Sequence, residues 1–193
     1  MTTTRIATAC AAVTLAAMLS ACVPAVIAVG VGGAAMVATD RRTAGAQVDD
    51  EAIELKIGDR VRTLYGDRVH VNVTSFNGTV LLTGEVPDIA ASAGIDTAAK
   101  GIEKVRSVHN EMVVATPNSN LSARTNDSFI TTKVKGRFLE ANKFPPNAVK
   151  VVSERAVVYL MGIVSKQEGQ TAGEIAASTE GVARVVKVFE YRG

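Results

Sequence analysis

The residue types that most often carry chemistry in proteins are sparse in this chain. It holds two histidines, His70 and His109, and two cysteines, Cys10 and Cys22, and no cysteine lies near either histidine along the sequence. A metal centre or a Cys–His nucleophile needs several such side chains converging at one place. The adjacent carboxylates of residues 49–51 suit the first turn of a helix, where the helix dipole favours negative charge. The sequence therefore points away from catalysis and from a bound metal ion.

Cys22 is the residue whose surroundings indicate a covalent modification. Arg5 precedes an apolar run over residues 6–18, and the small residues Ser20 and Ala21 stand directly before the cysteine. That order is the layout of a secretory signal peptide, whose apolar part is too short to span a bilayer. The phrase Leu-Ser-Ala-Cys resembles the lipobox of bacterial lipoproteins. The resemblance implies cleavage after residue 21 and a Cys22 that carries S-diacylglycerol and an N-acyl chain such as palmitate. The alternative is an ordinary signal peptide with an incidental cysteine.

Charge is distributed unevenly along the rest of the chain. Residues 49–116 contain seven Lys/Arg and eleven Asp/Glu, whereas residues 127–193 contain ten Lys/Arg and seven Asp/Glu. Only the second half therefore suits an anionic surface. An exported chain with interspersed charges and no aromatic platform is not expected to bind nucleic acid. Beyond the lipid on Cys22, the sequence indicates no cofactor.

An internal repeat is the most informative feature of the mature chain. Residues 50–57 align with residues 127–134 at an offset of 77, and residues 80–86 align with residues 158–164 at an offset of 78. The phrases that begin at Gly101 and Gly181 align at an offset of 80. An offset that grows at presumed loops is typical of a duplicated domain. We therefore expect two units of about seventy residues, each long enough to fold.

The residue patterns predict the same element order in both units. In the first unit we expect a helix, two strands joined by a tight turn at Asn77-Gly78, an Ala-rich helix that ends near Gly101, and a final strand. The helical stripe is Ile53, Ile57, Val61 and Leu64, the first strand alternates at Val69, Val71 and Val73, the second covers residues 79–86, and the last passes through Val105, Val108, Met112 and Val114.

The second unit repeats this order. Its first helix carries a stripe at Ile130, Val134 and Phe138, and its second helix opens with the capping box of residues 165–168 and closes at Gly181. The first strand is expected to begin at Val149, the second to cover residues 157–164 and the last to cover residues 182–191. The fold class is therefore α+β, with two tandem α-β-β-α-β domains, each a small three-stranded sheet covered by two helices on one face. The expected divisions are a signal peptide (1–21), a lipidated N-terminus and tether (22–47), a first domain (48–116), a linker (117–125) and a second domain (126–193).

These patterns resemble BON domains in both units. The resemblance rests on the element order, on Val-Leu-Leu-Thr-Gly at residues 80–84 with Tyr-Leu-Met-Gly at residues 159–162, and on the Gly-Ile-Glu-Lys-Val and Gly-Val-Ala-Arg-Val turns. The phrases at residues 40–50 and 126–134 are similar to the dual-BON outer-membrane lipoproteins of Gram-negative bacteria. The resemblance implies a non-enzymatic lipoprotein on the periplasmic side of the outer membrane. It also implies a role in envelope integrity and binding of anionic phospholipid, such as phosphatidylglycerol, by the first helix of the second domain.

The candidate lipid-binding residues follow from this resemblance and from a helical wheel. With 100° per residue, Phe129 falls outside the core stripe and close to Lys133 and Gly136. An aromatic ring among lysines suits the interface of an anionic bilayer. The family usually has Trp at the position of Phe129, so this chain departs from it conservatively. The full candidate set is Phe129, Lys133, Gly136, Arg137, Leu139 and Lys143.

Three alternatives remain open at this point. Phe129 could pack against the first domain or the linker. Lys133 and Arg137 taken alone fit a solvated helix face, because Lys56 and Arg60 occupy the same places in the first unit. The rival function is a periplasmic scaffold whose BON domains bind a protein of the outer-membrane assembly or division machinery, or peptidoglycan.

Overall fold

A computed structural model of the chain describes residues 40–116 and 121–193. The expected signal peptide, the lipidation site Cys22 and the tether as far as residue 39 lie outside these residues. The described residues belong to one compact unit, Thr39–Gly193. None of the helices in this part of the chain is both long and apolar enough to cross a membrane.

The first domain is a mixed sheet with two helices. Strands β1 and β2 form an antiparallel hairpin, and the short strands β3 and β4 both run parallel to β2. The final strand, expected to be continuous, is thus interrupted at residues 111–112. The elements are α1 (Ala44–Tyr65), β1 (His70–Phe76), β2 (Thr79–Val86), α2 (Ile89–Lys100), β3 (Ser107–Asn110) and β4 (Val113–Val114), with a 3₁₀ turn at Gly66–Arg68.

The second domain repeats this arrangement with an unbroken last strand. Strands β5 and β6 pair antiparallel, and β7 runs parallel to β6. The α+β fold of two tandem α-β-β-α-β units is confirmed. The elements are α3 (Leu121–Ala141), β5 (Val149–Glu154), β6 (Val157–Val164), α4 (Lys166–Ala177) and β7 (Arg184–Tyr191), with a 3₁₀ turn at Pro146–Ala148.

Each domain has its own core between its helices and one face of its sheet. The predicted helical stripes lie in these cores, with one exception: Leu64 is 55% exposed. Leu64 stands in the last turn of α1, and the neighbouring Tyr65 packs against the core instead. The first core is built on Ile53, Ile57, Val61, Val80, Leu82, Val86 and Ile95, and the second on Ile130, Val134, Phe138, Val158, Leu160 and Val164.

The two sheets pack against each other through their other faces. Side chains alternate across a strand, so Leu81 of β2 and Met161 of β6 point away from the helices of their own domains. They meet in a third buried cluster of Phe76, Leu81, Tyr159, Met161 and Val188. The result is a stack of four layers: helices, sheet, sheet, helices. Both pairs of helices are therefore outermost.

The sequence predicts that the acidic residues 49–51 form the first turn of α1, but the helix begins before them. The helix begins at Ala44, and the Thr43 hydroxyl caps it by accepting the N–H of Ala46 at 3.1 Å. Residues 44–47 and 121–125, expected in linkers, are therefore helical. Asp50 is only 2% exposed and accepts the N–H groups of Asn77 and Gly78 at 2.7 and 2.8 Å. Its carboxylate anchors the hairpin turn between β1 and β2.

Asp127 performs the same task in the second domain. It accepts the N–H groups of Arg155 and Ala156 at 2.9 Å each. These two residues form the β5–β6 turn with φ of +52° and +61°, a conformation that costs a residue with a side chain roughly 1–2 kcal/mol. The carboxylate bonds offset that strain in a turn without glycine.

The end of α4 also differs from the expectation. The capping box is confirmed, because the Ser165 hydroxyl accepts the N–H of Glu168 at 3.2 Å and the Glu168 carboxylate accepts the N–H of Ser165 at 2.7 Å. The helix nevertheless ends at Ala177 with Ser178 as its C-cap, and Gly181 lies beyond it in a turn at φ +91°.

Residues 41 and 42, expected in a polar linker, form a strap that contacts both domains. Arg41 binds the carboxylate of Glu168 through two hydrogen bonds of 2.8 and 2.7 Å and donates to the carbonyl oxygen of Ile163 at 2.8 Å. Arg42 pairs with Asp50 at 2.9 Å and lies 4.2 Å from the ring centroid of Phe76. The first residues of the described chain are thus bound to both domains.

The strap makes folding stability depend on pH. Hydrogen bonds from Arg41 lower the pKa of Glu168 from 4.5 to about 2. A depressed carboxyl pKa contributes stability that is present above pH 4.5 and is lost as pH falls towards 2. We expect Glu168→Gln to lower the free energy of unfolding by about 3 kcal/mol at pH 7, measured by urea denaturation.

The matched control is Glu174→Gln, on the same helix but exposed. The difference between wild type and Glu168→Gln should shrink towards zero at pH 2, whereas Glu174→Gln should stay close to wild type throughout. A Glu168→Gln deficit of the same size at pH 7 and pH 2 would contradict this account.

Candidate functional site

The outward face of α3 presents two large apolar side chains to solvent. Phe129 is 58% exposed and Leu139 is 62% exposed. They are ten residues apart, which corresponds to about 15 Å along a helix axis. The ring of Phe129 is off the core stripe, as the helical wheel predicted, and the first domain does not cover it. A flat surface laid along α3 could contact both side chains at once.

Lys133 lies next to the ring of Phe129. Its Nζ atom is 4.7 Å from the ring centroid, within the range of a cation–π contact. The same atom pairs with Oε2 of Glu180 at 2.8 Å. Lys133 is therefore held between an exposed aromatic ring and an exposed carboxylate, rather than being simply solvated.

Arg137 has a different environment. Its Nη1 atom donates to the carbonyl oxygen of Ile175 at 3.0 Å and to the hydroxyl of Thr179 at 2.9 Å. Both acceptors lie at the C-terminal end of α4, where a cation is favoured by the helix dipole. Arg137 thus joins α3 to α4, and its side chain is partly buried in doing so.

An open groove of about 420 Å³ lies between α3 and the end of α4. Gly136 leaves its floor open, because a Cβ atom at this position would meet nothing within 4 Å. The lining combines two cations, two carboxylates and two hydroxyl groups: Lys133, Arg137, Glu140, Glu180, Ser178 and Thr179.

The structure brings together most, but not all, of the candidate residues. Lys133 contacts the ring of Phe129 and lines the groove together with Gly136 and Arg137, and Leu139 is exposed further along the same helix. Helix α3 does not reach Lys143, because it ends at Ala141 and Asn142 takes φ +46°. Lys143 is exposed just beyond that end.

The equivalent helix of the first domain also exposes apolar side chains, which the sequence analysis did not single out. Val48 is 65% exposed and Leu55 is 69% exposed. They are seven residues apart on α1 and hence on one face. The two helices differ in net charge. Helix α1 holds five carboxylates and three cations, whereas α3 holds four cations and two carboxylates.

Comparison with known proteins extends to both domains. The model of the BON domain matches residues 49–116 and 126–193. Outer membrane lipoprotein DolP of Haemophilus influenzae is 39% identical over 90% of each chain. The 21 kDa hemolysin of Actinobacillus pleuropneumoniae is 33% identical over 79% of each chain. Osmotically-inducible protein Y of Escherichia coli is 28% identical over 72% of this chain and 70% of that protein.

The glycine in the middle of α3 generates a stability prediction. Glycine in a helix interior costs about 0.8–1.0 kcal/mol relative to alanine, and no neighbour obstructs a Cβ atom at Gly136. We expect Gly136→Ala to raise the free energy of unfolding by about 0.5–1 kcal/mol in urea denaturation. Gly58→Ala, at an equally open position of α1, should give the same gain.

Gly162→Ala is the opposite control, because its Cβ atom would collide with the carbonyl oxygen of Ala148. It should destabilise the protein. A loss of stability in Gly136→Ala would show that the open floor of the groove has a structural role that these contacts do not reveal.

Proposed function

The chain belongs to the BON-domain family, and from this premise we propose that it is a non-enzymatic outer-membrane lipoprotein whose α3 binds anionic phospholipid. The lipid on Cys22 would anchor it, and the two domains would face the periplasm. Its similarity to outer membrane lipoprotein DolP, at 39% identity over 90% of each chain, supports the location. Envelope integrity is the process that such a protein would serve.

One observation supports the choice of α3 above all others. Its outward face exposes two large apolar side chains, and the helix as a whole carries more cations than carboxylates. Helix α1 has comparable apolar exposure, but its charge excess is negative. An anionic bilayer would attract α3 and repel α1.

The geometry of α3 suits a helix that lies parallel to the membrane surface. The side chains of Phe129 and Leu139 would enter the interfacial region, about 15 Å apart, while Lys133 and Lys135 would stay among the headgroups. Each cation near an anionic surface contributes about 1 kcal/mol, and the burial of a partly exposed ring contributes a similar amount. Such a contact is weak by itself.

The lipid anchor would make this weak contact effective. Nineteen peptide units separate Cys22 from Arg41. A chain of that length spans at most about 65 Å when fully extended, so α3 could reach the leaflet that holds the anchor. Two linked contacts with one membrane give an avidity that neither has alone.

The experiment that tests this proposal is co-sedimentation of residues 39–193, the compact unit without the anchor, with liposomes. We expect binding to vesicles that contain phosphatidylglycerol and none to vesicles of phosphatidylcholine alone. Phe129→Ala and Leu139→Ala should each weaken binding about fivefold or more, because each removes an inserted apolar side chain. Raising the salt concentration should weaken it further.

Leu55→Ala is the matched control, since Leu55 is at least as exposed but lies on α1. It should bind like wild type. If neither kind of vesicle binds the protein, the lipid proposal fails and the scaffold alternative gains support. In that case the face around Phe129 would be a surface for an outer-membrane assembly or division protein, or for peptidoglycan.

A further inference from the structure

The two cations of the groove differ in how firmly they are held. Arg137 binds the carbonyl oxygen of Ile175 and the hydroxyl of Thr179, which are fixed parts of the fold. Lys133 binds only groups on the surface of the described chain, the carboxylate of Glu180 and the ring of Phe129. Lys133 is therefore the cation that a ligand could take over without disturbing the contact between α3 and α4.

Glu180 is well suited to be displaced. It lies in the turn between α4 and β7, and its side chain is 90% exposed. Within the described residues, Lys133 is its one ion-pair partner. The hydrogen bond from Lys133 lowers the pKa of Glu180 below its ordinary value, which reflects a favourable interaction between the carboxylate and the ammonium group. Among the contacts of the described residues, only the one with Lys133 holds this carboxylate at the groove.

We infer that Glu180 competes with the phosphate of a membrane lipid for Lys133, and so sets how anionic a surface must be before α3 binds it. This inference rests on the proposed function and names a specificity-determining residue for it. In the free protein the charges of the groove cancel, with Lys133 and Arg137 opposed by Glu140 and Glu180. A phosphodiester that takes the place of Glu180 would restore a neutral pair while the displaced carboxylate turns to solvent.

The ring of Phe129 would keep the lysine in place during this exchange. Because Nζ of Lys133 lies 4.7 Å from the ring centroid, the ammonium group would remain over the ring after Glu180 leaves. Phosphate binding and insertion of the ring would then occur at the same point of the bilayer. A surface with few anionic lipids would not repay the loss of the Glu180 pair, and α3 would stay unbound.

The test is Glu180→Gln in residues 39–193, with liposomes whose phosphatidylglycerol content is varied. We expect the variant to bind about two- to fivefold more tightly and to reach half-saturation at a lower phosphatidylglycerol fraction, since an exposed ion pair of this kind is a modest competitor. The gain in affinity should disappear in the Lys133→Gln background, because the ammonium group for which Glu180 and the lipid phosphate compete is then absent.

Glu174→Gln is the matched control, an exposed carboxylate of α4 whose substitution changes the net charge equally. If Glu174→Gln tightens binding as much as Glu180→Gln does, the effect is one of net charge and the inference is overturned. The same holds if Glu180→Gln still tightens binding in the Lys133→Gln background. If wild type binds the vesicles as tightly as Glu180→Gln does, the inference is overturned and the proposed function stands. If neither protein binds at any lipid composition, both fail.

A further arm distinguishes a bilayer from phosphate in solution. Inorganic phosphate, added at millimolar concentration and constant ionic strength, should not displace the protein from vesicles. Displacement by inorganic phosphate alone would mean that the groove takes free phosphate, and would overturn the assignment to a membrane lipid.

Discussion

The face-to-face packing of the two sheets is the constraint on which the rest of the structure depends. Each sheet has one face covered by its own helices and would expose the other if the domains were separate. Leu81, Tyr159 and Met161 bury those faces against each other. As a consequence α1 and α3 lie on opposite outer layers of one body. The same fold, repeated once, thereby presents two outer helices of opposite net charge.

The strap at the start of this body completes the arrangement. Arg41 is bound to the first turn of α4, and Arg42 is bound to Asp50 and stacks on Phe76. The entry point of the tether therefore has a fixed position relative to both domains. The face of α3 around Lys133 lies near the other end of α4, about 18 Å away for a helix of twelve residues. Arg41 and the face around Lys133 therefore lie at opposite ends of α4.

Local patterns predicted much of this fold, because they depend on neighbours along the chain. The stripes Ile53–Ile57–Val61 and Ile130–Val134–Phe138, the Asn77-Gly78 turn and the capping box at Ser165 were all predictable in this way. The buried role of Asp50 and Asp127 was not, although the repeat aligned them. A carboxylate early in an amphipathic helix usually indicates an N-terminus, and the hairpin turns that these residues hold are 27 or more positions away.

The candidate site shows the same division. The exposure of Phe129 followed from the helical wheel, since that depends only on α3 itself. The partners of Lys133 and Arg137 did not, because Glu180 and Thr179 are more than forty residues further along the chain. The sequence alone does not distinguish the two cations, whereas in the fold Arg137 joins α3 to α4 and Lys133 contacts only surface groups of the described residues. The exposed pair Val48 and Leu55 is not evident from the sequence, because the acidic residues 49–51 predict a helix that begins after Val48.

The central claim is that α3, and not α1, meets the membrane, and the absence of tryptophan from the chain allows a direct measurement. Phe129→Trp and Leu55→Trp each place a single fluorophore on the outward face of one of these helices. With vesicles that contain phosphatidylglycerol, we predict a blue shift of indole emission in the Phe129→Trp variant and quenching by lipids labelled near the headgroup. The emission of the Leu55→Trp variant should not change. A blue shift in the Leu55→Trp variant alone, or no change in either variant, would contradict the account.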